Sequence, residues 1–153
     1  SAASPPATPY DPPYEILHRN LYSVHQRVAA RFRAGRVLLA GDAAHVNNPV
    51  GGMGMNSGIH DGLNLADKLA RIWRGEGGDE LLDLYDRQRR PTAAKYVQAQ
   101  SIRNKEILQE ADPEKRRQRL DELRQTAADP ERARAFLRQS ALITMLEEAN
   151  AIT

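Results

Sequence analysis

Between Gly41 and Asn56 the sequence reads GDAAHVNNPVGGMGMN. Asp42 offers a carboxylate directly after a glycine, and Pro49, Gly51, Gly52, Gly54, Met55 and Asn56 follow within one short span. An apolar run, RVLLA (Arg36 to Ala40), leads into this stretch and a helical pattern leads out of it. A strand, a glycine-rich loop and a helix start make a device for holding an anion or a cofactor. The first turn of a helix presents amide N–H groups with no internal partner, and the dipole makes that end positive. Glycines let the main chain approach a ligand closely. PVGGMGMNSG is therefore a candidate cradle. It lacks the Gly-Lys-Ser/Thr ending of a nucleotide phosphate loop and is not the dinucleotide fingerprint that follows a first strand. A loop that merely turns the chain would use the same glycines. Asp42 also has two readings. At the carboxyl end of a strand it stands where open α/β sheets bind ligands, able to accept hydrogen bonds from sugar-type hydroxyls. Alternatively it caps the turn formed by Ala43, Ala44 and His45.

The elements that position this loop are legible from periodicity. Alternation around Leu21 to Val28 predicts a strand. Arg36 to Ala40 reads as a buried strand of the kind found in parallel sheets. Gly41 to Met55 reads as loop. Ile59, Leu63, Ala66, Ala70 and Trp73 then fall at helical spacing, with Leu65, Leu69 and Ile72 beside them. Gly75, Gly77 and Gly78 end that helix. A second helix starts near Asp79 as N-cap, and Pro91 interrupts or kinks it before the pattern resumes to Gln109. Two near-copies follow, ADPEKRRQRL from Ala111 and ADPERARAFL from Ala128. In each, Asp112 or Asp129 caps, Pro113 or Pro130 takes the first helical position, and Glu114 or Glu131 suits the positive end of the dipole. Helices over 113–127 and 130–149 are expected. One matched pair is too little for a repeat architecture. Residues 103–138, dense in Arg and Glu, read as a solvated surface or as a face for a partner.

The 153 residues suffice for one domain with a modest core. With 5% aromatic residues, that core must be mostly Leu, Ala, Ile and Val. A net charge of +2 does not support a nucleic-acid footprint. The absence of cysteine excludes disulfides and thiolate chemistry. No apolar run approaches membrane-spanning length, so no membrane partner is expected. The opening SAASPPATPYDPPY lacks the apolar centre of a secretion signal and reads as a flexible, Pro/Ala-rich lead-in. The cytoplasm is the default compartment.

The loop and the helix behind it resemble a motif of the class A flavoprotein monooxygenases, the para-hydroxybenzoate hydroxylase-like family. The matching residues are Gly41-Asp42-Ala43-Ala44-His45, Pro49, Gly51-Gly52, Gly54, Asn56, Asp61, Asn64-Leu65 and Lys68-Leu69. The likeness covers about residues 24–96 and includes YDRQRRP (Tyr85 to Pro91), similar to a later helix of the family. Asn48 departs from it, standing where many members carry a second proline. The resemblance implies an α/β fragment, mostly α: the C-terminal part of a para-hydroxybenzoate hydroxylase-like FAD-binding fold, followed by a helical half. It divides the chain into a lead-in (1–20), the C-terminal part of the FAD-binding domain (21–75) and a helical C-terminal region (76–153). The implied cofactor is FAD, with NAD(P)H as co-substrate and a small phenol-like aromatic as substrate. Asp42 would bond the ribityl chain. The backbone at Gly54, Met55 and Asn56 would face the flavin N1–C2=O edge, reached across Gly51 and Gly52. Pro49 would lie near the flavin and the substrate, while His45 packs or bonds locally. No metal is implied, and no catalytic side chain is assigned in this stretch.

No Gly-x-Gly-x-x-Gly turn precedes residue 36. The chain therefore looks like the C-terminal part of a longer enzyme, with the N-terminal FAD-binding part as its missing partner, inactive and prone to self-association alone. Two other readings compete. One is a non-catalytic helical interaction module, or half of a split protein, that retains the flavin motif. The other is a flavin oxidoreductase that does not insert oxygen.

Overall fold

The computed structural model describes residues 17–21, 23–50 and 52–153, so most of the Pro/Ala-rich lead-in and Gly51 lie outside the described residues. The first regular element is β1 (Arg27–Val28), and β2 (Arg33–Ala34) and β3 (Val37–Leu38) follow as a tight antiparallel hairpin. Gly35 opens its two-residue connection at φ +59, the position where type II′ hairpins take glycine. This corrects the expectation of a buried, parallel-type strand over Arg36 to Ala40. Only two of those residues are strand, the pairing is antiparallel, and Val37 is 62% exposed. The cause is local, since the Ala34-Gly35-Arg36 turn folds the chain onto the segment just before it. β1 pairs antiparallel with β4 (His45–Val46), so among the described residues the strand expected over Leu21 to Val28 is confined to its last two.

The rest is mainly helical. α1 (Met53–Trp73) begins before its apolar periodicity does and closes at Gly75, whose amide bonds to Ile72 O. α2 (Glu80–Thr92) has Asp79 at its cap position, but the Asp79 side chain makes no capping bond. That carboxylate pairs instead with Arg33 at 2.6 Å, and Glu80 turns back to accept the Gly78 amide. Pro91 does not break the helix. α2 passes through it into a wide π turn over Ala93–Gln98 and on into α3 (Ala99–Gln109). A widened turn is one way a helix absorbs a disturbed bond ladder. The Thr92 hydroxyl also bonds back to the carbonyls of Gln88 and Arg89.

α4 (Pro113–Ala128) and α5 (Pro130–Ser140) carry the expected caps. Asp112 accepts from the Glu114 amide, and Asp129 accepts from those of Glu131 and Arg132. The single helix expected over 130–149 is split, with α6 spanning Ile143–Asn150. The break is Leu142, at φ +61 and nearly fully buried. A left-handed leucine is strained by about 1–2 kcal/mol. The reversal seats Leu142 and Met145 against Met53, Tyr96 and Val97, which offsets that strain. A second cluster gathers Phe32, Ala44, Tyr85 and Ala93, with Leu39 and Leu65 beside them.

α1 is amphipathic in an unexpected sense. An apolar stripe ordinarily faces the core. Here Met55, Ile59, Leu63, Leu69 and Trp73 are exposed, Trp73 by 91%. The buried side, half a turn away, carries Met53, Ser57, Asp61 and Lys68. Among the described residues nothing covers the apolar stripe. No helix among them is long and apolar enough to cross a membrane.

Candidate functional site

The start of α1 is open. Its N-cap is Gly52 at φ +66, with no side-chain cap and no acidic residue in the first turn. Gly52 donates its own amide to Pro49 O at 3.1 Å. Helix geometry then leaves the amides of Met53, Gly54 and Met55 without intrahelical acceptors, at the positive end of a 21-residue dipole. Asn56 turns its amide nitrogen back to Gly52 O at 2.9 Å. Gly54 packs closely under the Asn47 side chain, which would have to shift for a Cβ there, 2.8 Å from Asn47 Oδ1. Pro49, Gly52, Met55 and Asn56 are exposed, and Gly54 is half-buried.

Asp42 sits in the middle of a 3-10 turn, Gly41–Ala43, that packs on α1. The turn is closed by main chain alone, with the Ala44 amide on Gly41 O at 2.8 Å. The Asp42 side chain is exposed and makes no hydrogen bond or ion pair among the described residues. It is therefore not the cap of the Ala43-Ala44-His45 turn. The loop between is anchored through Asn48, buried, whose side-chain amide donates to Ser101 O and Gln26 Oε1, each at 2.9 Å. Its own oxygen accepts from the Val50 amide. A side chain with three bonds thus holds the loop where the family often has proline.

Beneath the loop lies a charged cluster the sequence did not announce. Asp61, fully buried on the inner side of α1, accepts from Arg89 Nε at 2.7 Å, His45 Nε2 at 2.7 Å and the Gly41 amide at 3.2 Å. Arg89, on α2, is 1% exposed and also reaches Ser57 O. His45 packs and bonds as expected of it, but its partner is 16 residues distant, and its ring stacks near Phe32. His45, Asp61 and Arg89 all fall within the motifs that carry the family resemblance, but nothing in their spacing shows that they meet, and the recurrence of Ser57, Asp61, Asn64 and Lys68 at helical spacing also describes a solvent face. Lys68 is buried as well, its ammonium held by Asn64 Oδ1 and Gln88 Oε1, both at 2.8 Å. Burial pushes that ammonium down from the ordinary lysine range. Among the described residues no three His, Asp or Glu side chains gather as a metal site.

Burial alone would push the Asp61 carboxyl up, but the hydrogen bond from His45 and the charge of Arg89 outweigh it and hold it below the usual carboxylate range. A depressed folded-state value contributes stability above the ordinary carboxylate range, about pH 4, and that contribution is lost as pH falls through the folded value. Melting temperature should therefore drop toward acid more steeply in the wild type than in Asp61→Asn. Thermal melts between about pH 7 and pH 3 check this, and parallel profiles would contradict it.

The exposed carboxylate and the bare helix start are complementary to a ligand that brings hydroxyls to one and an electron-rich edge to the other. The hollow beside Asp42, lined by Arg27 to Ala29 and Ala43 to Val46, holds about 260 Å³, so this chain encloses only part of such a ligand. The residues present fit FAD on both counts. Hairpin, glycine loop and capless helix thus define a piece of a flavin-binding fold. The chain belongs to the FAD-binding domain family, whose model, described as FAD binding domain, matches residues 5–100. It is 40% identical over 111 residues to para-nitrophenol 4-monooxygenase of Pseudomonas sp. (strain WBC-3), covering 72% of this chain and 28% of that protein. It is 47% identical over 92 residues to a 3-(3-hydroxy-phenyl)propionate/3-hydroxycinnamic acid hydroxylase of Mycolicibacterium smegmatis, covering 60% of this chain and 16% of the relative. The crystal structure of p-nitrophenol 4-monooxygenase PnpA from Pseudomonas putida DLL-E4 superposes with a TM-score of 0.70 at 34% identity, over 79% of this chain and 32% of that one. The chain therefore spans less than a third of each of these relatives.

Proposed function

We propose that this chain is the C-terminal part of an FAD-dependent monooxygenase that hydroxylates a phenol-like aromatic with NAD(P)H and O2, and that it supplies one wall of the flavin site. The observation that carries this reading is one short stretch that holds both an exposed Asp42 carboxylate, unpaired among the described residues, and a helix start with no side-chain cap. Asp42 holds ribityl hydroxyls. The amides at Gly54, Met55 and Asn56 face the N1–C2=O edge, where the positive helix end favours negative charge when the cofactor is reduced. Gly51 and Gly52 let the main chain come close, and Pro49 borders flavin and substrate. FAD supplies the redox and oxygen chemistry, and the protein positions it. Two relatives named for oxygenating nitrophenol and hydroxyphenyl-propionate support a phenolic substrate. Residues 21–75 form the flavin-facing part and 76–153 its helical support. The exposed α1 stripe is the surface on which the rest of the FAD-binding domain packs. Residence in the cytoplasm accords with this reading.

In the full-length protein carrying this sequence, Asp42→Ala is expected to weaken FAD binding about tenfold to a hundredfold, the loss of a charge-assisted bond. Flavin-fluorescence titration measures it, and an unchanged affinity would remove Asp42 from the site. The interaction-module reading has one observation in its favour: α4 and α5 bury no residue and expose Leu120, Leu123, Phe136 and Leu137. It gains if the full-length wild type takes up no FAD.

A further inference from the structure

We propose that Asp61 is a positioning residue for the flavin site, a buried carboxylate that aims Asp42 at the start of α1. This rests on the reading above that Asp42 and the helix start hold FAD. The segment carrying Asp42 is tied down at both ends by one oxygen. Asp61 Oδ2 accepts from the Gly41 amide, one residue before Asp42, and from His45 Nε2, three residues after it. The other oxygen is held by Arg89 from α2, so the carboxylate is braced on the side away from the turn. Arg89 also reaches Ser57 O, one helical turn earlier on α1. The main chains of the turn and the helix touch as well, since a Cβ on Gly58 would stand 3.2 Å from Gly41 Cα.

The Ala44 amide on Gly41 O and the pairing of His45 with Val28 also hold this turn, but the exposed Asp42 side chain has no bond of its own among the described residues. His45 Nδ1 likewise has no partner among the described residues, where the hydrogen bonding of that ring runs through Asp61. Asp61 lies two turns along the same rigid helix whose first amides complete the site. Fixing Gly41 and His45 to it therefore sets the distance from the Asp42 carboxylate to those amides. A site held to a fraction of an ångström needs such support behind the groups that touch the ligand.

The test is a double-mutant cycle in the full-length protein, read as the FAD dissociation constant well below every melting temperature. Asp61→Asn keeps one acceptor oxygen and gives up the charge. It is expected to weaken FAD binding about tenfold and to change the visible circular dichroism of the bound flavin. In the Asp42→Ala background the same substitution should have no further effect, because the group it aims is gone. If Asp61→Asn does not fold, His45→Asn leaves the Asp61–Arg89 pair intact and is put through the same cycle, with a smaller loss expected. The proposal is overturned if the folded variant binds FAD as wild type does, or loses as much affinity with Ala at position 42 as with Asp. A wild type that binds no FAD overturns the flavin reading and this inference together. A wild type that binds, with a weakened Asp42→Ala and an unaffected Asp61→Asn, overturns the positioning role alone.

Discussion

Arg89→Met is expected to lose about 3–5 kcal/mol of folding stability, the usual cost of removing one partner from a buried ion pair. Methionine fills much of the volume, so a cavity is not the cause. The cause is Asp61, left fully buried with its charge facing only the Gly41 amide and a histidine. Against a typical total of about 5–15 kcal/mol, that loss is a large fraction of the stability. Urea denaturation should show a lower midpoint with an unchanged slope. Replacing both partners, as in Asp61→Leu with Arg89→Met, should cost less than Arg89→Met alone, because no bare charge remains. Recovery stays incomplete, since Gly41 and His45 lose their acceptor. A single variant that loses under about 1 kcal/mol would show that water reaches the pair and that the cluster is not the keystone its burial indicates.

FAD titrated into the isolated 153-residue chain is expected to show no saturable binding at micromolar concentrations, whereas the full-length protein binds in that range or tighter. Ligand sites ordinarily bury about 70–90% of the ligand's surface. Here Asp42, Pro49, Gly52, Met55 and Asn56 are exposed, and the hollow that Asp42 helps to line holds about 260 Å³. One charge-assisted hydrogen bond contributes about 1.5–3 kcal/mol and the helix end about 0.3–2 kcal/mol. At 1.4 kcal/mol per factor of ten, their sum of at most about 5 kcal/mol supports a constant of about 0.2 mM at best. Calorimetry or flavin-fluorescence quenching decides the matter. Saturation in the micromolar range would mean that this wall alone carries the affinity.

Several features were legible because they depend on neighbours in sequence. Asp112 and Asp129 cap because the amides they satisfy lie two and three residues on. Gly75 stops α1 because the last turn needs a residue there that accepts positive φ. The glycine loop and its ordered motif were read correctly as belonging to a flavin-binding family, since the pattern from Gly41 to Leu69 is long and specific. The Ala34-Gly35-Arg36 turn shows the limit even there, since its hairpin was missed beside an apolar run that looked like a longer strand.

Contacts across long separations were beyond such reading. Helical periodicity shows that α1 has one apolar and one polar side, but not which side meets protein. The polar side is buried because distant segments satisfy it: Gly41 and His45 lie 20 and 16 residues from Asp61, and Arg89 lies 28 residues beyond it. Leu142 breaks the last helix for the sake of a core formed with Met53, Tyr96 and Val97, none of them near it in sequence. The sequence by itself determined the capped helix starts at Asp112 and Asp129, the stop at Gly75 and which loop could press amides and a carboxylate against a cofactor, because short-range hydrogen bonds and steric limits act within a few residues. Only the tertiary structure decided which faces are hidden and what braces that loop, because burying a charge is tolerable solely where the folded chain brings its partners to it.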